Sequence, residues 1–417
     1  MSNSDFDVLI RGGRIIDGSG NPWQYGDVAL QGQRIAALTA PGRIPAAHAR
    51  EVVDASSMVV CPGFIDIQSH SILPLMVDGR CLSKITQGIT TEIMGELWTP
   101  APFGGRITDP FDHTLAGALG VEAPPEWRLQ GREWRRFRDW LETVAERGTT
   151  PNIGSFLAGG TLRRYARGME MGPATADELA VMRRVVAAAM ADGAFGVSYA
   201  LIYPPESFVA TDEIVEVCTE VARHGGIYIT HMRSEDSQVL EAVEETLAIG
   251  QRAGLPVEIY HLKVTRPSNW PKMGQVIARI EAARAAGIDV AANMYPYTAS
   301  GTGLSAMLPY WASADGALFD NLRAPASRSR IHDEMARVAG GEAGTLLARN
   351  PADIMPIGFK LPEHQQYVGQ RIEAIAAARS QDWIETILDL LTAEGQAIST
   401  IYFQMHEGNL MRQLQQP

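Results

Sequence analysis

The sequence predicts an α/β protein in two parts: a β-rich N-terminal segment, then a parallel sheet built from βα units. Three observations carry this. Residues 1–62 are short apolar runs punctuated by turn signals. From Phe64 onward, apolar runs alternate with amphipathic helical stretches, the rhythm of parallel strands joined by crossover helices. Seven such runs occur, one short of an eight-stranded (β/α) barrel, with a doubly wound sheet as the alternative.

In the N-terminal segment, VLIRGGRIIDGSG is an apolar run interrupted by Gly12-Gly13 and closed by Asp17-Gly18. DVALQGQRIAAL repeats the pattern of strand, Gly turn and strand, and the Val-rich EVVDASSMVVCPG stops at Pro62-Gly63. Such runs read as hairpins of a small β-sandwich or meander. The predicted strands of the second part, residues 63–417, are FIDIQSH, ITTEIMGE, NIGSFLAGG, AFGVSYAL, GIYITHM, PVEIYHLKV and IDVAANMYPY. Before the fourth of these, TADELAVMRRVVAAAMADG opens on Thr175 with Glu178 three residues on, a capping box, and closes at Gly193. TDEIVEVCTEVARHGG, SQVLEAVEETLAIGQRAG and MGQVIARIEAARAAG are the later helices.

Two stretches break the rhythm. Residues 98–150, rich in Trp, Arg and Pro, are expected to cover one mouth of a barrel. Residues 298–360 open on TASGTGLSA and carry a basic helix, ASRSRIHDE. They read either as a lid or as a plain surface excursion. WIETILDLLTAEG, ISTIYFQMH and EGNLMRQLQQP then read as helix, strand and helix.

Composition narrows the function. The chain has 417 residues, 46% of them hydrophobic, which suffices for a sizeable core. Lys+Arg number 36 against 48 Asp+Glu, a net charge of −12, and an acidic surface argues against nucleic acid as a partner. No run of about 18 uncharged apolar residues is present, so no membrane span is expected. MSNSDFDVLI lacks the basic and apolar regions of a secretory signal. Cys61, Cys81 and Cys218 are odd in number and without paired spacing, which fits a reducing compartment. The expectation is a cytoplasmic protein with a small-molecule substrate; the oligomeric state is left open.

Of nine histidines, His70, His231 and His261 sit at or near the C-terminal ends of predicted strands. In a barrel those ends share one rim. A lone strand-end His is more often structural, but three on different strands suggest a converging set. Glu96 closes ITTEIMGE at the same rim, and a buried carboxylate among apolar neighbours is costly unless paired or metal-bound. Two imidazoles and a carboxylate suit zinc with one position left open for water. His48, His113, His224, His332, His364 and His406 read mostly as surface residues.

VVCPGFIDIQSHS, QGITTEIMGE, YPPESF, ITHMRSE, HLKV and MYPY, in this order, resemble the D-aminoacylase (N-acyl-D-amino-acid deacylase) branch of the amidohydrolase superfamily. The resemblance runs from about Asp7 to Pro417; PGFxDxxxH alone would indicate only the superfamily. It implies a metal-dependent (β/α)8 barrel with a small β-sandwich, one or two zinc ions, and hydrolysis of N-acyl-D-amino acids to a carboxylate and a D-amino acid. His231 and His261 match the family's metal histidines. Lys263 and Tyr295 match residues that bind the substrate's carboxylate, and Tyr203 lies in a matching stretch.

The departures are specific. The family's His-x-His is Gln68-Ser69-His70 here, and its Gly-Asn-Cys, whose thiolate is a ligand, is Gly95-Glu96-Leu97. Glu96 is therefore expected to replace that thiolate, with His70 and Gln68 as further candidate metal ligands. Gly-His-Gly-Thr-Leu-Arg is Ala158-Gly159-Gly160-Thr161-Leu162-Arg163, without the imidazole. FGVSYALIY lacks the lysine that hydantoinase-like relatives carboxylate to bridge two metals. The resemblance stops at MRQLQQP, before the family's eighth strand, so the expected fold is an amidohydrolase barrel lacking its last strand, with the general-base Asp beyond Pro417. Two further readings stand beside the deacylase: a catalytically impaired metal- or ligand-binding pseudoenzyme, and an amidohydrolase acting on a cyclic amide or lactone.

Overall fold

The structure is a computed structural model that describes residues 5–111, 123–342, 344 and 346–416. His113 and the middle of the 98–150 stretch lie outside them. Contacts divide the chain into two units, Met1–Ile65 with Gly88–Thr90, and Asp66–Gln87 with Thr91–Pro417.

The first unit holds β1 (Phe6–Ile15), β2 (Gln24–Gln31), β3 (Arg34–Thr39), β4 (Ala49–Asp54) and β5 (Val59–Val60). Their order is β3-β2-β1-β4, with β5 also pairing β1. The β1–β2 and β2–β3 pairs are antiparallel, as hairpins require, whereas β4 and β5 run parallel to β1. Among the described residues this is one sheet, in which β1–β3 form the meander that was one of the two expected alternatives, and not a sandwich. A parallel partner needs a crossover instead of a tight turn, and the connection after β3 carries β4 to the free edge of β1. The Val-rich segment thus extends the first layer. Asp27, fully buried, accepts the backbone N–H of Gly12 at 2.8 Å and of Gly42 at 2.7 Å.

The predicted βα strands all form, as β6 (Phe64–Asp66), β7 (Ile89–Met94), β8 (Asn152–Ser155) with β9 (Leu157–Ala158), β10 (Gly196–Ala200), β11 (Ile227–His231), β12 (Val257–Ile259) and β13 (Val290–Ala292). Parallel pairing runs β6-β7-β8 and β9-β10-β11-β12-β13. Only Phe156 separates β8 from β9, and its N–H donates to Met94 O at 2.9 Å. The helices between strands fall where the apolar periodicity places them. The helix Ala176–Ala191 begins on the Thr175–Glu178 capping box, with Thr175 N–H donating to Glu178 Oε2 at 2.8 Å.

Alternation along the strands decides which side chains face the site. Tyr228 packs in the large core beneath the helices, with Val197, Val257 and Val217. Ile229 points the other way, into a small cluster with Ile93, Phe156 and Tyr260. His231, two residues after Ile229, falls on that second face.

Helices Pro125–Gly131 and Phe137–Arg147 of the 98–150 stretch share a core of Trp98, Phe111, Trp127, Trp134 and Trp140. The stretch after residue 298 differs from its expected bounds. β14 (Ser300–Gly303), β15 (Ile354–Gly358) and β16 (Ser399–Tyr402) form an antiparallel sheet in the order β14-β16-β15. Its core joins Leu304, Leu322 and Ile331 to Ile387, Leu391 and Tyr402. The excursion therefore extends past residue 360 to include the helix Trp383–Glu394, because ISTIY is the central strand of its sheet and not a further βα strand. His364 is buried there, its Nδ1 2.7 Å from Glu394 Oε1, rather than on the surface. No helix of the described residues is long and apolar enough to cross a membrane.

Candidate metal centre

Gln68, His70, Glu96, Tyr203, His231, His261, Lys263 and Tyr295 all line one cavity of about 340 Å³, together with Glu235. They arrive from different strand ends. His231 is the last residue of β11, Glu96 lies two residues beyond β7, and His261 two beyond β12. His70 is four residues past β6. The backbone at two of these turns is special. Gly95 has φ 112°, and a Cβ there would lie 2.3 Å from Phe156 O, so only glycine lets the chain pass that close before presenting Glu96. His261 itself has φ 37°, with its N–H fixed on Asn293 Oδ1 at 2.6 Å.

At the centre, Glu96 Oε1 stands 3.2 Å from His231 Nδ1 and 3.4 Å from His261 Nε2. All three residues are buried and their ligand-type atoms lie within 4.8 Å of one another. Glu96 Oε2 meets His70 Nε2 at 3.2 Å and accepts a hydrogen bond from the Gln68 amide. His70 is outside the three-residue cluster, and its side chain is 40% exposed. The two clustered imidazoles cross nearly at right angles, with ring centres 4.3 Å apart.

Glu235, in the loop after β11, has no role in the sequence reading. Its only sequence signal is its place in ITHMRSE, four residues after His231. Glu235 Oε1 lies 2.5 Å from Lys263 Nζ and 3.1 Å from His261 Nδ1, and Oε2 lies 3.5 Å from His231 Nε2. Lys263 Nζ is also 2.7 Å from His261 Nδ1 and donates to His261 O at 3.1 Å. Its three N–H bonds thus all have near partners.

Burial alone would raise the Glu96 carboxyl, but hydrogen bonds with His231, His261 and His70 hold it well below the usual carboxylate range. Glu235 is likewise pushed up by burial and held well below that range by His231, Lys263 and His261. Burial pulls His231 down, and Glu235 and Glu96 together raise it above its ordinary value. For Lys263 burial wins, so its ammonium sits below the ordinary lysine value despite Glu235.

Tyr203 and Tyr295 flank the imidazole pair. The Tyr203 ring is 5.5 Å from His231 and its hydroxyl pairs with Thr302 Oγ1 at 2.8 Å. The Tyr295 ring is 6.2 Å from His261, with Lys263 Nζ 5.5 Å from its centre. Ser300, Thr302 and Ser399 place one edge of the antiparallel sheet in the cavity wall. Gly159, where the sequence lacks the imidazole, stands against Tyr199, whose ring would lie 2.4 Å from any Cβ there. The space for that side chain is filled by the tyrosine.

The donor set fits a divalent metal. Ligands about 2.0–2.1 Å from a tetrahedral zinc lie about 3.3–3.4 Å from each other, and the two Glu96–imidazole separations match that edge. An anionic carboxylate and two imidazoles leave one position open.

No family model matches the chain. It is 37% identical over 307 residues to the D-aminoacylase of Alcaligenes xylosoxydans xylosoxydans, covering 72% of this chain and 60% of that protein. With the N-acyl-D-glutamate deacylase of the same organism it shares 33% identity over 302 residues, 71% of this chain and 58% of the relative. The chain thus spans somewhat less than two thirds of these relatives. The crystal structure of N-acyl-D-glutamate deacylase from Bordetella bronchiseptica, complexed with zinc and a phosphonate inhibitor, superposes with a TM-score of 0.78 at 27% identity, covering 99% of this chain and 74% of that one. With its N-terminal sheet and parallel α/β region, the chain has the amidohydrolase fold, and it belongs to the D-aminoacylase (N-acyl-D-amino-acid deacylase) branch of that superfamily.

Proposed function

We propose that the protein is a metal-dependent hydrolase that cleaves N-acyl-D-amino acids to a carboxylate and a D-amino acid. The observation that carries this reading is the pair of Glu96 Oε1 contacts, 3.2 Å to His231 Nδ1 and 3.4 Å to His261 Nε2, inside a cavity that also holds a buried cation. His231, His261 and Glu96 would hold one divalent metal, zinc for this donor set, with His70 and Gln68 supporting Glu96. When bound, it supplies Lewis acidity toward the amide carbonyl and lowers the pKa of water. Lys263 and Tyr295 would receive the substrate's free carboxylate, the ammonium as the counter-charge, in exchange for its contact with His261 Nδ1, and the phenol as a neutral donor. Tyr203 closes the opposite side of the imidazole pair.

Glu96 stands among the proposed ligands and Glu235 is paired with Lys263 at 2.5 Å, so neither carboxylate is free to act as the general base. No aspartate is among the described residues lining the cavity.

Release of a free amine from N-acetyl-D- and N-acetyl-L-amino acids, alongside a hydantoin and a lactone, tests the reading on the zinc-loaded protein. Turnover of the D-amides above the others supports it. Turnover only of the hydantoin or lactone, or equal rates on both enantiomers, would replace it with the cyclic-substrate or an unselective reading.

A further inference from the structure

Two carboxylates bracket the imidazole pair. Glu96 faces His231 Nδ1 and His261 Nε2, and Glu235 faces the two opposite nitrogens, His261 Nδ1 at 3.1 Å and His231 Nε2 at 3.5 Å. An imidazole that turns one lone pair toward a metal carries its proton on the other nitrogen, and in a buried site that N–H needs an acceptor. Here both outer nitrogens have the same carboxylate beside them, although His231 Nε2 makes no hydrogen bond and the hydrogen bond at His261 Nδ1 comes from Lys263.

Lys263 cannot fill that role. Its Nζ is 2.7 Å from His261 Nδ1, but an ammonium only donates. A hydrogen bond from Lys263 to Nδ1 leaves the ring proton on Nε2, the nitrogen facing Glu96, where it would block a metal. His261 Nδ1 is thus contested between a donor, Lys263, and an acceptor, Glu235. Glu235 also holds the competing donor, with Lys263 Nζ 2.5 Å from its Oε1.

Charge separates the two faces of the pair. Lys263 stands on the Glu235 face, whereas the ion-pair partners of Glu96 among the described residues are histidines. A cation is therefore better received on the Glu96 face. The backbone fixes Glu235 in its place: its carbonyl accepts from Thr265 N–H at 2.8 Å and from Thr265 Oγ1 at 3.0 Å.

We infer that Glu235 is the positioning residue of the metal centre. It offers an acceptor to the outer N–H of His261 at 3.1 Å and to the otherwise unpartnered Nε2 of His231 at 3.5 Å, favours in both rings the tautomer that turns a lone pair toward Glu96, and competes for the Lys263 ammonium that stands 2.7 Å from His261 Nδ1. The inference rests on the reading of Glu96, His231 and His261 as ligands.

Zinc affinity, measured by chelator competition on the purified 417-residue chain, tests it with Glu235→Gln and Lys263→Met. Both variants break the Glu235–Lys263 pair, so a merely structural pair would weaken zinc equally in each. The positioning role predicts about a 10- to 100-fold loss in Glu235→Gln and a change within about threefold in Lys263→Met. Equal losses, or wild-type affinity in Glu235→Gln, would overturn the inference. Should Glu235→Gln fail to fold, Glu235→Asp keeps the charge but withdraws the carboxylate by one methylene. A clear loss of affinity there supports positioning by contact, and unchanged affinity refutes it. A wild-type chain that binds no zinc would instead remove the ligand reading itself, and this inference with it.

Discussion

Glu96 Oε1 lies 3.2 Å from Nδ1 of His231, 135 residues further along the chain. Nothing local brings them together. The parallel strands between them do, by delivering successive C-terminal ends to one face. The same delivery sets His261, Lys263 and Tyr295 around them.

Lys263→Ala is expected to weaken binding of an N-acetyl-D-amino acid to the zinc-loaded protein by at least about tenfold, the scale of one lost charge-assisted contact. Zinc content should stay near that of the wild type. Calorimetric titration with elemental analysis of the same sample checks both. Loss of zinc with unchanged substrate affinity would show that Lys263 serves the metal centre and not the carboxylate.

Glu206 offers a pH signature. It is fully buried, and burial lifts its carboxyl well above the ordinary 4.5, although Oε1 accepts backbone N–H groups from Gly160 at 2.9 Å and Ala200 at 3.1 Å. A raised folded value means that the native state keeps a proton the unfolded chain has released. Stability from this group is therefore complete below pH 4.5 and lost as pH rises toward the folded value. Over that window the wild type should lose about 1.4 kcal/mol per pH unit relative to Glu206→Gln, which cannot ionise. Parallel stability–pH curves from urea unfolding would contradict a protonated Glu206.

Arg163 and Glu213 form a buried pair, Nη1 to Oε1 at 2.7 Å, and Arg163 Nη2 also donates to the carbonyls of Glu170 and Gly172. Arg163→Met should cost about 3–5 kcal/mol, because Glu213 is left as a buried charge without its partner. Urea unfolding measures it. A loss below about 1 kcal/mol would mean that Glu213 relaxes to water or takes up a proton at little cost.

The sequence made the strands legible because each is an apolar run bounded by an amphipathic helix, and period 2 against period 3.6 is visible without coordinates. Glu96, His231 and His261 were legible as strand-end residues of a metal-binding type. Other features depend on tertiary placement. β14 reads as a Gly/Ser loop, because SGTG becomes a strand only by pairing with residues 399–402. β4 looks like another hairpin arm, yet it pairs parallel to β1. Glu235 lies in a loop, where no periodicity says which way a carboxylate points, and its contact with His261 depends on that ring's left-handed backbone, φ 37°. The Tyr199 ring against Gly159 is likewise a property of packing between neighbouring strand ends.

The most direct test of the account is metal stoichiometry by elemental analysis of the purified chain beside His261→Ala, both dialysed against the same trace zinc. About one zinc per wild-type chain and little in the variant are expected, since removal of one of three ligands opens the site. Zinc retained in full by His261→Ala, or absent from a folded wild-type chain, would contradict the claim that Glu96, His231 and His261 form a metal centre.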